Sequence, residues 1–258
     1  MAKIYAIISG KGGVGKTTTA INLGASLNFL GEDVIVVDGN LTTPNIGIHL
    51  GAPIVPITLN HVLNNEAKIE DAIYEHESGT KIMPASLSLK ETEKINYKKF
   101  PELTKRLKKI SNYIIIDCAA GLGEEAKTAI ISSDEIIIVT NPEMAAVTDA
   151  LKTIKLAEEL NKQVVGVIIT RYQGIRTEMT IPNIKDMLEI PILGIIPEDI
   201  SIKESQNMKN AVIHTHPRSK AAKHYIKTTK RLLGHDVKFE NPNPSSVFSK
   251  ILRSLGLK

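Results

Sequence analysis

The chain has 258 residues, 42% of them apolar, and a net charge of +4. That supports one large core, while the charge is too mild to demand a nucleic-acid or membrane partner. A single cysteine excludes a disulfide framework, the lack of tryptophan argues against stacking surfaces for single-stranded nucleic acid, and no apolar run reaches the ~20 residues of a membrane-spanning helix.

Met1 leads straight into the first predicted strand, 3–9, with no signal segment, so a cytoplasmic location is expected. That strand runs through Ile4-Tyr5-Ala6-Ile7-Ile8, and the first predicted helix covers 17–30. Between them lies Ser9-Gly10-Lys11-Gly12-Gly13-Val14-Gly15-Lys16-Thr17-Thr18. A strand, a glycine-rich loop ending in Gly-Lys-Thr and a helix form a phosphate cradle. Gly10, Gly12, Gly13 and Gly15 let backbone N–H groups turn inward, and the helix N-terminus adds its positive dipole end. The span from Gly10 to Thr18, Val14 included, is therefore the predicted phosphate site. Lys16 is expected to reach the β- and γ-phosphates, and the Thr17 hydroxyl to ligate Mg²⁺.

Lys11 is a second lysine in that loop. The string Lys-Gly-Gly-Val-Gly-Lys-Thr-Thr resembles the deviant Walker A family of ATPases, which includes the MinD and ParA proteins. The resemblance covers roughly residues 2–233. It implies an ATP-bound homodimer in which Lys11 reaches the partner's nucleotide, because a cation aimed at a neighbour's phosphates favours pairing only when they are present.

The second strand, 34–38, ends in Asp38, and a later one, 113–117, ends in Asp117. Carboxylates at the carboxyl ends of strands sit where ligands bind in open α/β sheets. A strand-end aspartate taken alone also caps turns. By resemblance, Asp117 is the Walker B carboxylate and Asp38 the second metal-side carboxylate. Asp38-Gly39-Asn40 corresponds to a motif that usually reads Asp-x-Asp, so Asn40 replaces a carboxylate that orients water. An amide holds water but takes no proton, so slow hydrolysis is expected. Asp117-Cys118-Ala119-Ala120-Gly121 likewise resembles a γ-phosphate-sensing loop, with Ala119 in place of proline, and Cys118 is expected to pack in the core.

Further strands are predicted at 81–84, 135–140, 163–170 and 192–196, with helices at 59–64, 100–110, 126–131, 144–161, 181–188, 202–209 and 219–233. Alternating units of this kind imply a doubly wound, mostly parallel α/β sheet with helices on both faces, a P-loop NTPase fold over 1–234. Arg171, by resemblance, lies against the adenine base, and the backbone of Pro197, Glu198 and Asp199 reads its amino edge.

After Gly234 the chain turns polar. Residues 235–244 end in Asn241-Pro242-Asn243-Pro244 and read as a linker. Residues 245–258 place Val247, Phe248, Ile251, Leu252 and Leu255 on one helical face, with Lys250 and Arg253 opposite. So short a helix needs a surface to fold on, and an anionic membrane, the domain's own core and a partner's groove all qualify. The resemblance to MinD proteins selects the membrane, on its inner cytoplasmic face. Lysines 203 to 230 make the last third of the domain basic, which allows weak non-specific DNA binding. ATP and Mg²⁺ are the expected cofactors, with an activating protein or cargo unidentified.

Overall fold

A computed structural model of the chain describes residues 2–92 and 95–239. The predicted membrane-facing residues, from Val247 to Leu255, lie outside the described residues.

Eight strands form one sheet: β1 Lys3–Ile8, β2 Val34–Gly39, β3 Tyr74–Glu75, β4 Lys81–Met83, β5 Tyr113–Cys118, β6 Glu135–Thr140, β7 Gln163–Tyr172 and β8 Ile192–Pro197, in the order β3-β4-β2-β5-β1-β6-β7-β8. All pairings are parallel except β3 with β4. The helices are α1 Lys16–Phe29, α2 Ile46–His49, α3 Leu59–Leu63, α4 Leu89–Thr92, α5 Phe100–Leu107, α6 Glu124–Ser132, α7 Met144–Glu159, α8 Ile181–Leu188, α9 Ile200–Asn207, α10 Val212–Thr215 and α11 Lys220–Leu232. No helix among the described residues is long and apolar enough to cross a membrane.

The strands are apolar throughout because both faces are covered. Side chains alternate across the sheet, and the core divides accordingly. Ile4, Ala6 and Ile8 join Ile114 and Ile116 under α3 and α5 to α8, whereas Tyr5 and Ile7 join Val36, Ile115 and Ile137 under α1, α10 and α11. Central β1 delivers the phosphate loop at its carboxyl end, with β5 and then β2 on one side and β6 on the other. Asp38 and Asp117 are register partners on adjacent parallel strands, which brings two carboxylates together from positions far apart in sequence.

The structure corrects several boundaries. β3 has two residues and α2, α4 and α10 have four each, too few for a hydrophobic period to develop. β7 runs on to Tyr172, so Arg171 lies in a strand rather than a loop, with a left-handed φ of 54° where the pairing to β8 slips. Residues 235–239, read as linker, are held to the domain by Arg231, whose guanidinium donates to the carbonyls of Leu193, Val237 and Lys238 and stacks 4.9 Å from the Phe239 ring.

Candidate nucleotide site

The phosphate loop is fixed from three sides. Gly10 packs against α7 so closely that an added Cβ would lie 2.4 Å from the Asp149 carbonyl oxygen. The Thr170 hydroxyl on β7 donates to the Val14 carbonyl. The Gly121 N–H donates to the Ser9 carbonyl at 3.1 Å. Gly15, the N-cap of α1, has a φ of 89°, a conformation that glycine adopts without a Cβ penalty. Cβ atoms built on Gly12 and Gly13 would meet nothing within 4 Å, so the rim of the loop is open. It is an open cradle of backbone above a helix N-terminus, which suits a phosphate chain.

Lys16 is 8% exposed and makes no salt bridge among the described residues. A nearly buried ammonium without a paired carboxylate is a ready partner for phosphate. Gln206 on α9 donates to the Thr18 hydroxyl at 3.0 Å.

Asp38 and Asp117 are both fully buried. Neither oxygen of Asp117 meets a hydrogen-bond donor in good geometry. Burial raises its pKa, the nearby Lys16 ammonium and Thr17 hydroxyl offset part of that rise, and the net value is about 6. Asp38 is raised well above the usual carboxylate range, first by burial and then by the Asp117 charge. Its oxygens already accept from the N–H groups of Asn40 at 3.3 Å, Asn45 at 2.9 Å and Ile46 at 2.9 Å. Two adjacent buried carboxylates, one of them unpartnered, fit a divalent cation, since two such charges cannot otherwise both ionise cheaply. Of the expected metal residues Thr17, Asp38 and Asp117, Asp117 with Thr17 could hold Mg²⁺ directly, while both Asp38 oxygens already accept backbone N–H groups of the loop that follows.

Asn40 differs from the sequence expectation. Its amide nitrogen donates to the Thr43 carbonyl, and its oxygen accepts from the Thr43 hydroxyl at 3.0 Å. The side chain thus closes its own loop, and one amide N–H and one oxygen lone pair remain beyond these two bonds. Lys11 also finds a partner within its own chain: its ammonium lies 3.2 Å from Glu143 Oε2, and Asn141 holds the other Glu143 oxygen at 3.0 Å. Glu143 stands in the Thr140-Asn141-Pro142-Glu143-Met144 segment, which the sequence marks as a strand-to-helix connection resembling that of the family but not as a partner of Lys11.

On the far side of the loop, Arg171, Glu198 and Asp199 line one cleft with Gly15, Thr18, Lys203 and Gln206. Pro197 ends β8 beside them, opposite Tyr172. The Asp199 carboxylate is occupied structurally. It accepts from Ser201 N–H at the start of α9 and from Ala221 N–H at the start of α11, both at 3.1 Å. Burial pushes its pKa up, but these donors and the Ser201 hydroxyl outweigh it and leave the value lowered. Cys118 is fully buried, as its place in a core strand predicts.

Comparison with known proteins agrees with this site. Residues 2–167 match the family model described as an AAA domain. An uncharacterised ATP-binding protein of Methanocaldococcus jannaschii is 35% identical over 258 residues, which cover 99% of this chain and 97% of that protein. The septum site-determining protein MinD of Synechocystis sp. is 34% identical, covering 93% of this chain and 92% of that protein. The structure of MinD from Pyrococcus horikoshii, solved with Mg-ADP, superposes with a TM-score of 0.86 at 37% identity, covering 90% of this chain and 96% of that one. With this phosphate loop, this carboxylate pair and these relatives, the chain belongs to the MinD/ParA family of P-loop ATPases and sits with its MinD members.

Proposed function

We propose that the chain is a slow Mg²⁺-dependent ATPase that dimerises around its nucleotides and thereby attaches reversibly to a membrane, to position cell division or another assembly. The buried Asp117 carboxylate, which meets no hydrogen-bond donor in good geometry, stands beside Asp38 and near the Lys16 ammonium under an open phosphate loop, and this carries the ATPase part. Backbone N–H groups of 10–18 and the Lys16 ammonium bind and orient the phosphates, Thr17 and Asp117 hold the cation, and the water-facing loop is shaped by Asp38 and Asn40. When bound, Mg²⁺ supplies the positive charge that offsets charge developing on the phosphates. Asn40, hydrogen-bonded to Thr43 and unable to take a proton, supports slow turnover.

Dimerisation rests on Lys11, a solvent-facing ammonium on the loop rim that can exchange Glu143 for a partner's phosphate. Membrane attachment rests on the amphipathic pattern of Val247 to Leu255. Pairing two weak anchors raises avidity by roughly 10²–10⁴-fold with no new contact. The Synechocystis and Pyrococcus relatives, septum site-determining proteins, favour the division role.

The test is co-sedimentation of the full chain with anionic vesicles under ATP, ADP and no nucleotide, alongside phosphate release with and without Mg²⁺. Binding that requires ATP, with Mg²⁺-dependent turnover, is expected. Vesicle binding indifferent to nucleotide overturns the switch. Salt-sensitive capture of DNA by the ATP form in place of vesicles favours instead a ParA-like ATPase that partitions DNA, which the basic last third of the domain would serve.

A further inference from the structure

The loops that leave Asp38 and Asp117 are joined by Glu125. Its Oε1 accepts from the Thr42 N–H at 2.9 Å, and its Oε2 accepts from the Thr42 hydroxyl at 3.0 Å. Thr42 stands in the loop between β2 and α2, and Glu125 in the first turn of α6. The other hydrogen bonds of the first loop are local: Asn40 and Asn45 with Thr43, and Asp38 with Asn40, Asn45 and Ile46. The second loop is tied in turn to the base of the phosphate loop through Gly121 and Ser9. Glu125 thus completes a line of contacts from Ser9 to Thr42 along the rim of the carboxylate pair.

A glutamate in a first helical turn also complements the helix dipole. Its neighbour Glu124 serves that purpose in solvent, with its side chain 88% exposed and paired to Lys127. Glu125 instead turns across to the neighbouring loop and takes up both donors of a single residue. A carboxylate that accepts an N–H and an O–H together fixes orientation as well as distance.

We propose that Glu125 is a positioning residue for nucleotide turnover: it straps the 40–45 loop to α6, so that both rims of the carboxylate pair are set as one unit before nucleotide arrives. The proposal deepens the ATPase reading above and rests on it for its kinetic half. Ordering the loop in advance spares that cost when substrate binds. Cutting the strap therefore charges it to binding, and KM rises more than kcat falls.

The experiment uses the full chain with Glu125→Ala and Glu125→Gln. Amide exchange is followed in the nucleotide-free proteins, and KM and kcat are measured for Mg·ATP. Glu125→Ala is expected to speed exchange over 41–46 about tenfold and to raise KM by a similar factor, because two charge-assisted bonds are lost. Glu125→Gln, which keeps one acceptor oxygen, falls between. Exchange inside α6 and the central strands stays at its original rate. Unchanged exchange over 41–46 in both variants overturns the proposal, as does faster exchange throughout α6, which marks a helix stabiliser only. A fall in kcat at constant KM also overturns it. If the unaltered protein shows no turnover, the ATPase reading fails, and the exchange data still decide the strap.

Discussion

The Lys11 ammonium lies 3.2 Å from the Glu143 carboxylate of the same chain, at the start of α7. Both side chains are exposed, at 44% and 58%, so the pair is worth about 0–1 kcal/mol and is easily exchanged for a better anion. A triphosphate on a second copy is such an anion. Glu143→Gln should therefore favour the ATP-bound dimer by up to about fivefold, and Lys11→Ala should abolish it. Size-exclusion chromatography with light scattering across an ATP titration reads both.

Asp117 stores a cost that the site requires. Its folded pKa is raised from 3.8 to about 6, mainly by burial. Below pH 3.8 it is protonated folded or unfolded and costs nothing; between 3.8 and about 6 the unfolded chain releases the proton while the folded one keeps it, so stability falls across that window and the full penalty holds above it. The penalty near pH 7.5 is about 3 kcal/mol. Asp117→Asn should thus raise the nucleotide-free melting temperature in EDTA by roughly 5–10 °C at pH 7.5, by about half as much at pH 5 and hardly at all below pH 3.8. The same variant should lose both stabilisation by MgCl₂ with ATP and turnover. Thermal melts at the two pH values check the sign.

Asn40→Asp tests the loop that follows Asp38. The carboxylate cannot donate to the Thr43 carbonyl, so the present closure breaks and an acceptor becomes available to water. Turnover should rise about tenfold, less than the roughly hundredfold or more of a fully positioned general base, because the new carboxylate must also give up the Thr43 closure. Single-turnover phosphate release measures it, and an unchanged rate would remove Asn40 as the reason for slow hydrolysis.

Gly10→Ala probes the seat of the phosphate loop. The new methyl would fall 2.4 Å from a backbone oxygen of α7, which cannot swing aside as a side chain does. The loop or the helix must shift, at about 1–3 kcal/mol. The expected outcome is a lower melting temperature together with weaker ATP binding, while Gly12→Ala, which meets nothing within 4 Å, leaves the melting temperature nearly unchanged. Calorimetry on both variants separates the two effects.

What the sequence determined by itself is whatever chemistry is contiguous. The phosphate loop lies within ten residues, and the core strands announce themselves as apolar runs, two of them leading into Asp38 and Asp117, because a sheet covered on both faces needs apolar residues on both sides. Tertiary structure decided everything that depends on strand order. Lys11 meets Glu143 across 132 residues and Thr42 meets Glu125 across 83, pairings set by β1 lying beside β6 and β2 beside β5. It also decided how each polar group is occupied: Asp38 and Asp117 lie near the carboxyl ends of strands and Asp199 just beyond one, yet the first organises a loop, the second meets no hydrogen-bond donor in good geometry and the third caps two helices. A side chain's role follows from which donors its neighbours bring within about 3 Å, and those neighbours come from distant segments that local pattern does not reach.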